Sequence, residues 1–125
     1  IAVTTYNQLE YTKKFYESFK LLENDTYDLL IVDDASTDGT VQWCNDNSIT
    51  IISKQQGKGL SDSWNLAYKY FKENNYDYFA LANNDILIPK YALNELISIL
   101  KKQSFLMSWA CTAWRLRCLV IKNTW

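Results

Sequence analysis

The chain has 125 residues, 48% of them hydrophobic and 22% charged, the composition of one folded domain around one core rather than of a disordered or fibrous segment. Thirteen basic and 14 acidic residues leave a net charge of −1, which offers no positive field to a nucleic-acid backbone and argues against a nucleic-acid partner. With no His, Ser-His-Asp triads and imidazole metal sites are excluded, and any general acid or base must be Asp, Glu, Lys, Tyr or Cys.

A domain of this length buries roughly two-thirds of its unfolded surface, so it needs neither disulfides nor a structural metal to fold. Cys44, Cys111 and Cys118 are odd in number and match no zinc spacing, which fits a reducing compartment. No charged segment followed by an apolar run opens the chain, and the apolar stretch at 105–121 is cut by Arg115 and Arg117. The expectation is a soluble, cytoplasmic protein, with peripheral association at the inner membrane face as the alternative. The start at Ile1 rather than Met reads as a processed or cropped chain.

In chain order, residues 1–5 predict a short buried strand ending at a polar corner. A helix follows at 11–22, with Tyr11, Phe15, Phe19 and Leu22 as one core-facing stripe. The aliphatic run at 29–32, stopped by Asp33 and Asp34, has the pattern of a parallel strand covered on both faces. Residues 34–40 read as loop and helix-cap chemistry before a short helix at 41–45. A third strand is expected at 49–53 and a mobile turn at 55–59. The next helix, 60–73, carries Leu60, Trp64, Ala67, Tyr68 and Phe71 on one face. A fourth strand at 78–82 ends in Asn83-Asn84-Asp85, and Pro89 then opens a helix to Lys102. Strand and helix thus alternate four times, which predicts a Rossmann-like α/β fold: a mostly parallel sheet, right-handed crossovers and helices on both faces.

The segment from Gln103 differs in style. It holds three of the five Trp, two of the three Cys and both Arg, and no acidic residue follows Glu95. The expected division is a ligand-binding domain at 1–102 and an atypical segment at 103–125 that is not its native continuation, for instance a frameshifted end; an ordinary final strand and helix is the alternative.

In parallel sheets ligands bind beyond the carboxyl ends of the strands, and three of those ends carry polar clusters. Asp33 and Asp34 point to opposite faces, so one can face a ligand while the other takes local backbone donors. Asp34 is the better acceptor: its carboxylate can take the imide N–H of uracil or thymine, with Tyr6 offering a surface for the base. The plainer alternative is that Asp33, Asp34 and Asp38 only shape a turn and cap a helix. Asn83-Asn84-Asp85 places three oxygen-bearing side chains together, which suits Mg²⁺ or Mn²⁺ retaining water and phosphate oxygens as further ligands; an Asn-rich turn is the alternative. Gln56-Gly57-Lys58-Gly59 lacks the Walker pattern, and Ser36 stands where a haloacid-dehalogenase-like loop would have its nucleophilic Asp.

Taken in order, these segments resemble family 2 glycosyltransferases of the GT-A fold. AVTTYN at 2–7 is similar to the family's first strand and turn, and LLIVDDASTDGT at 29–40 to its most recognisable motif. GLSDSWNLAY at 59–68 resembles the third-helix start of the rhamnosyltransferase-like branch, and LANND before Pro89 a variant metal motif in which Asn replaces acidic residues. The resemblance implies a nucleotide-diphospho-sugar transferase fold and inverting transfer to an acceptor hydroxyl, glycan or lipid-linked, with Mg²⁺ or Mn²⁺ at the diphosphate. Thr4, Tyr6 and Asp34 match the family's base contacts, Asp85 its metal-binding aspartate, and Gly59 and Asn65 its third-helix motif; Asn83 and Asn84 depart from the acidic DXD form.

The family's acceptor half supplies an Asp or Glu base, and no acidic residue follows Glu95, so the chain reads as a truncated donor-binding half. An apolar surface left by the absent half would favour self-association. A noncatalytic nucleotide-binding or interaction module is the second reading. A phosphoacceptor receiver domain is the third, and it would want Asp where the third strand ends at Ser53-Lys54.

Overall fold

The computed structural model describes residues 1–22, 26–102, 109–110 and 118–122. Four short runs with β-branched or aliphatic side chains on both faces form parallel strands: β1 (Ala2–Thr5), β2 (Leu30–Asp33), β3 (Thr50–Ser53) and β4 (Tyr78–Asn83). Between them lie helices α1 (Leu9–Lys20), α2 (Thr40–Asp46) and α3 (Leu60–Glu73), and α4 (Ala92–Lys102) follows β4. Strands β5 (Trp109–Ala110) and β6 (Cys118–Lys122) extend the sheet, giving the order β3-β2-β1-β4-β6-β5. The first four pair in parallel and β6 runs antiparallel to β4, from Tyr78↔Lys122 to Ala82↔Cys118. The rest of the segment expected to stand apart, 103–108, 111–117 and 123–125, lies outside the described residues.

Successive side chains of each strand enter different cores, as the period of two requires. Val3, Ile31 and Ala82 pack with Phe15, Cys44 and Leu93 of α1, α2 and α4. Ala2, Leu30, Val32 and Leu81 pack with Ala67 and Phe71 of α3 on the other face. The expected α/β architecture with helices on both faces is therefore the one adopted. Residues 2, 30 and 81 share one register line, as do 5 and 33 at the opposite end, so the polar corners of β1, β2 and β4 emerge side by side.

Three expectations need correction. Helix α1 starts two residues before the predicted 11, because the Asp38 carboxylate accepts the Leu9 N–H at 2.8 Å and anchors the first turn from 29 residues away. Its buried face runs through Thr12, Phe15 and Ser18, and Tyr11 is half exposed; Thr12 is buried because its hydroxyl has polar partners inside. Pro89 precedes α4 rather than beginning it, closing a turn in which its carbonyl accepts the Ala92 N–H.

Candidate functional site

A cavity of about 320 Å³ opens at the carboxyl ends of β1 and β4. Thr4, Tyr6, Asp34, Asn83, Asn84 and Asp85 line it, and Leu60 and Ser63 of α3 form one wall. It gathers the candidate residues from three strand ends, separated by up to 81 positions in the chain. Gly59 touches it through Asp34. Asn65 lies on the exposed part of α3 and does not line it.

The β2 corner divides its two carboxylates by face. Asp33 is fully buried, and its Oδ2 accepts the Ser36 N–H and the Ser53 hydroxyl, both at 3.1 Å. Its role is to fix the loop after β2. Asp34 Oδ1 accepts the Lys58 N–H at 2.8 Å and pairs with Lys54 Nζ at 2.5 Å, while Oδ2 accepts the Gly59 N–H at 2.9 Å. Burial pushes the Asp34 carboxyl upward, but the hydrogen bonds from Lys54, Lys58 and Gly59 and the charge of Lys54 outweigh it, so its pKa lies below the ordinary value. Gly57 packs against the Asp34 backbone, where an added Cβ would stand 3.3 Å from the carbonyl oxygen. Two backbone N–H groups of the segment at 55–59, those of Lys58 and Gly59, are therefore fastened to a carboxylate.

Asp38 acts as a double cap. Oδ1 accepts the N–H and hydroxyl of Thr40 at the start of α2, and Oδ2 the Leu9 N–H at the start of α1. Gly39, between Asp38 and α2, has φ +90°, a conformation L side chains rarely adopt. The plainer reading thus holds for Asp33 and Asp38, and Asp34 is the one of the three that lines the cavity. Asn7, at φ +48°, joins this loop to β1: its N–H donates to Ser36 Oγ and its Oδ1 accepts the Thr37 N–H at 2.7 Å. Tyr6, beside it, is 58% exposed, its ring open to a planar ligand.

At the β4 corner the three consecutive side chains take different directions. Asn83 is half-buried, and its Oδ1 accepts the Thr4 hydroxyl at 3.5 Å. Asn84 is buried, and its amide nitrogen donates to Thr5 Oγ1, Thr12 Oγ1 and the Gln8 carbonyl, tying β4 to β1 and α1. Asp85 is exposed. Among the described residues no group of three or more His, Cys, Asp or Glu is placed to hold a metal ion. The oxygen donors at Asp85 and Asn83 suit a hard cation that takes its remaining ligands from water and phosphate.

Sequence reasoning missed Lys54 and Asp62. The Lys54 side chain is only 7% exposed and bridges Asp34 and Asp62. Its one signal was position, at the end of β3 beside the β2 corner. A second cavity, about 350 Å³, lies at the opposite end of the sheet among Tyr16, Tyr27, Leu30, Tyr70 and Tyr76. There burial and the Asp28 carboxylate, which accepts the Tyr76 hydroxyl at 2.8 Å, raise the Tyr76 pKa, so that phenol stays protonated. Among the described residues, the carboxyl-end cavity combines a fixed carboxylate, an exposed aromatic ring and the strand-end position expected for a ligand.

The sequence profile of glycosyl transferase family 2 matches residues 1–116. The chain belongs to glycosyl transferase family 2. Among solved structures, the mannosyltransferase PcManGT from Pyrobaculum calidifontis, in complex with GDP-Man and Mn²⁺, superposes with a TM-score of 0.70 or better, at 0.76, with 16% identity over 97% of this chain and 43% of that one. TarS 1–349 of S. aureus gives 0.70 with 20% identity, covering 81% of this chain and 31% of its own. Glucosyl-3-phosphoglycerate synthase from Mycobacterium tuberculosis, with Mn²⁺, UDP and glucosyl-3-phosphoglycerate, gives 0.63 with 15% identity, covering 82% and 39%. At these identities the likeness is one of fold. This family 2 chain spans less than half the length of each. No curated protein matches it.

Proposed function

We propose that this chain is the donor-binding part of an inverting, divalent-cation-dependent glycosyltransferase, which transfers a sugar from a nucleotide diphosphate sugar to a hydroxyl of a glycan or lipid-linked acceptor. The observation that carries this reading is the single cavity that joins Thr4, Tyr6 and Asp34 on one side to Asn83, Asn84 and Asp85 on the other. Asp34 accepts the imide N–H of a pyrimidine base, Tyr6 lies against the ring, and Thr4 completes that subsite. Asp85, with Asn83, would hold Mg²⁺ or Mn²⁺, which would offset the charge gathering on the diphosphate as it leaves. Asn84 holds the β4 corner in place for both.

Residues 1–102 form this donor-binding part, and 103–125 remain a segment of different composition that returns to the sheet through β6. The start of α3 favours the rhamnosyltransferase-like branch. No acidic residue follows Glu95, where the family resemblance expects the acceptor-side base, and we expect these 125 residues to bind nucleotide without efficient transfer. No described helix is long and apolar enough to cross a membrane, and we place the protein in the cytoplasm, working at or near the inner membrane face.

The test is thermal denaturation with UDP, dTDP and GDP, each with and without Mn²⁺. A ligand that binds only the folded state stabilises it by about 2.7 kcal/mol at a hundredfold over its Kd. The expected result is a Mn²⁺-dependent rise in Tm with a pyrimidine diphosphate. A cooperatively melting protein whose Tm no nucleotide moves would overturn the proposal.

A further inference from the structure

Lys54 has three N–H donors, and the structure gives each an acceptor: Asp34 Oδ1 at 2.5 Å, Asp62 Oδ2 at 3.1 Å and the Gly59 carbonyl at 3.4 Å. None remains for a phosphate, so Lys54 acts on the cavity through Asp34. A carboxylate offers about four acceptor positions, two on each oxygen. On Asp34, the Lys54 ammonium and the Lys58 N–H fill Oδ1, and the Gly59 N–H fills half of Oδ2. One acceptor position is left, on Oδ2, to serve the cavity that Asp34 lines.

Nucleotide bases differ in how many donors they present to such a group. Uracil and thymine offer one imide N–H between two carbonyls, and hypoxanthine offers one lactam N–H beside a single carbonyl. Guanine offers an adjacent pair, N1–H and the 2-amino group, which seeks both oxygens of a carboxylate at once. With Oδ1 filled, guanine's second donor would enter the cavity without an acceptor, and an unpaired desolvated donor costs about tenfold or more in affinity.

We propose that Lys54 is a specificity-determining residue of the base subsite: by occupying Oδ1 of Asp34 it leaves a single acceptor, which admits bases with one ring N–H donor and disfavours guanine. This deepens the assignment of Asp34 to the nucleotide base and rests on it. The second carboxylate, Asp62, steadies the ammonium without touching the acceptor count. Burial works to lower the Lys54 pKa, but the hydrogen bonds and charges of Asp34 and Asp62 raise it beyond its ordinary value, so the block persists through the neutral range.

The test is calorimetric competition against UDP on this chain in Mn²⁺, comparing inosine diphosphate with GDP, which differ only by the 2-amino group. The unmutated protein should bind inosine diphosphate about tenfold tighter than GDP. Lys54→Met should bring the two within about twofold, and Asp62→Asn, which leaves Lys54 on Asp34, should keep the original ratio. Equal competition by the two purines on the unmutated chain, including none by either, overturns the proposal without any variant having to fold. A ratio unchanged in a folded Lys54→Met overturns it as well. Absence of UDP binding removes the donor-site reading itself and this inference with it, whereas UDP binding without purine discrimination removes only the role of Lys54.

Discussion

The corners after β2 and β4 each bring a carboxylate to the same cavity, and the two differ in how far they are withdrawn from solvent. Asp34 is 17% exposed and already held by an ammonium and two backbone N–H groups, whereas Asp85 is exposed. A group that discriminates between rigid bases gains from having its orientation fixed before the ligand arrives. A group that shares a cation with water and phosphate needs access to solvent, which the exposure of Asp85 provides. On the proposed reading, the held rim would meet the base and the exposed rim the cation.

The comparison breaks most visibly at Asp85. Asp85→Ala should abolish Mn²⁺-dependent nucleotide binding with Tm essentially unchanged, and calorimetry showing the same Mn²⁺ dependence as the parent would refute the cation role. On the held rim, Lys54→Met should cost about 3 kcal/mol of folding stability, since it strips the cation from two carboxylates, one of them largely buried. Urea unfolding would read this, and a loss below ~1 kcal/mol would mean that the backbone N–H groups hold Asp34 unaided. Asp34→Asn should weaken UDP or dTDP by about 1–3 kcal/mol, as for a lost charged hydrogen bond; equal affinity for both proteins would remove the base contact.

Two smaller effects sharpen the contrast. Asn84→Ala should cost about 1–2 kcal/mol in urea unfolding by leaving the buried hydroxyls of Thr5 and Thr12 short of a partner, with little change in the Mn²⁺ dependence carried by Asp85. The Asp34–Lys54 pair should also bracket the pH range of full stability. The lowered Asp34 pKa adds stability that is complete above about pH 4 and lost as pH falls through the folded value. The raised Lys54 pKa adds stability that is complete below about pH 10 and lost as pH rises through its folded value. Urea midpoints should be flat between these limits, and Lys54→Met should shrink both limbs; limbs identical to the parent's would show that the pair is not the cause.

Much of this protein was legible locally. The aliphatic run before Asp33, Ala67 and Phe71 of the α3 stripe and the strand-helix alternation identified the sheet, because burial on two faces or one leaves a period in the chain itself, whereas Leu60 and Tyr68 of that stripe are exposed. Polar clusters at strand ends pointed to the site, since a parallel sheet delivers such ends to one edge. What the pattern could not carry was partnership. The start of α1 depends on Asp38, and the burial of Thr12 depends on Asn84, 72 positions away. The turn at 55–59 looked mobile from its glycines, yet the Lys58 and Gly59 N–H groups are fixed by Asp34, 24 and 25 positions earlier.

The sequence by itself therefore determined the α/β architecture, the residues at the strand ends and the resemblance to the family that its profile match establishes. Only the tertiary structure decided what those residues do to one another: that Asp33 turns inward, that Asn84 serves as a tie between strands, and that Lys54 is drawn out of solvent onto Asp34 and Asp62. The physical reason is range. Periodicity and capping act over a few residues and are written in the chain, whereas acceptor counts and buried charge pairs exist only once distant segments share one small volume.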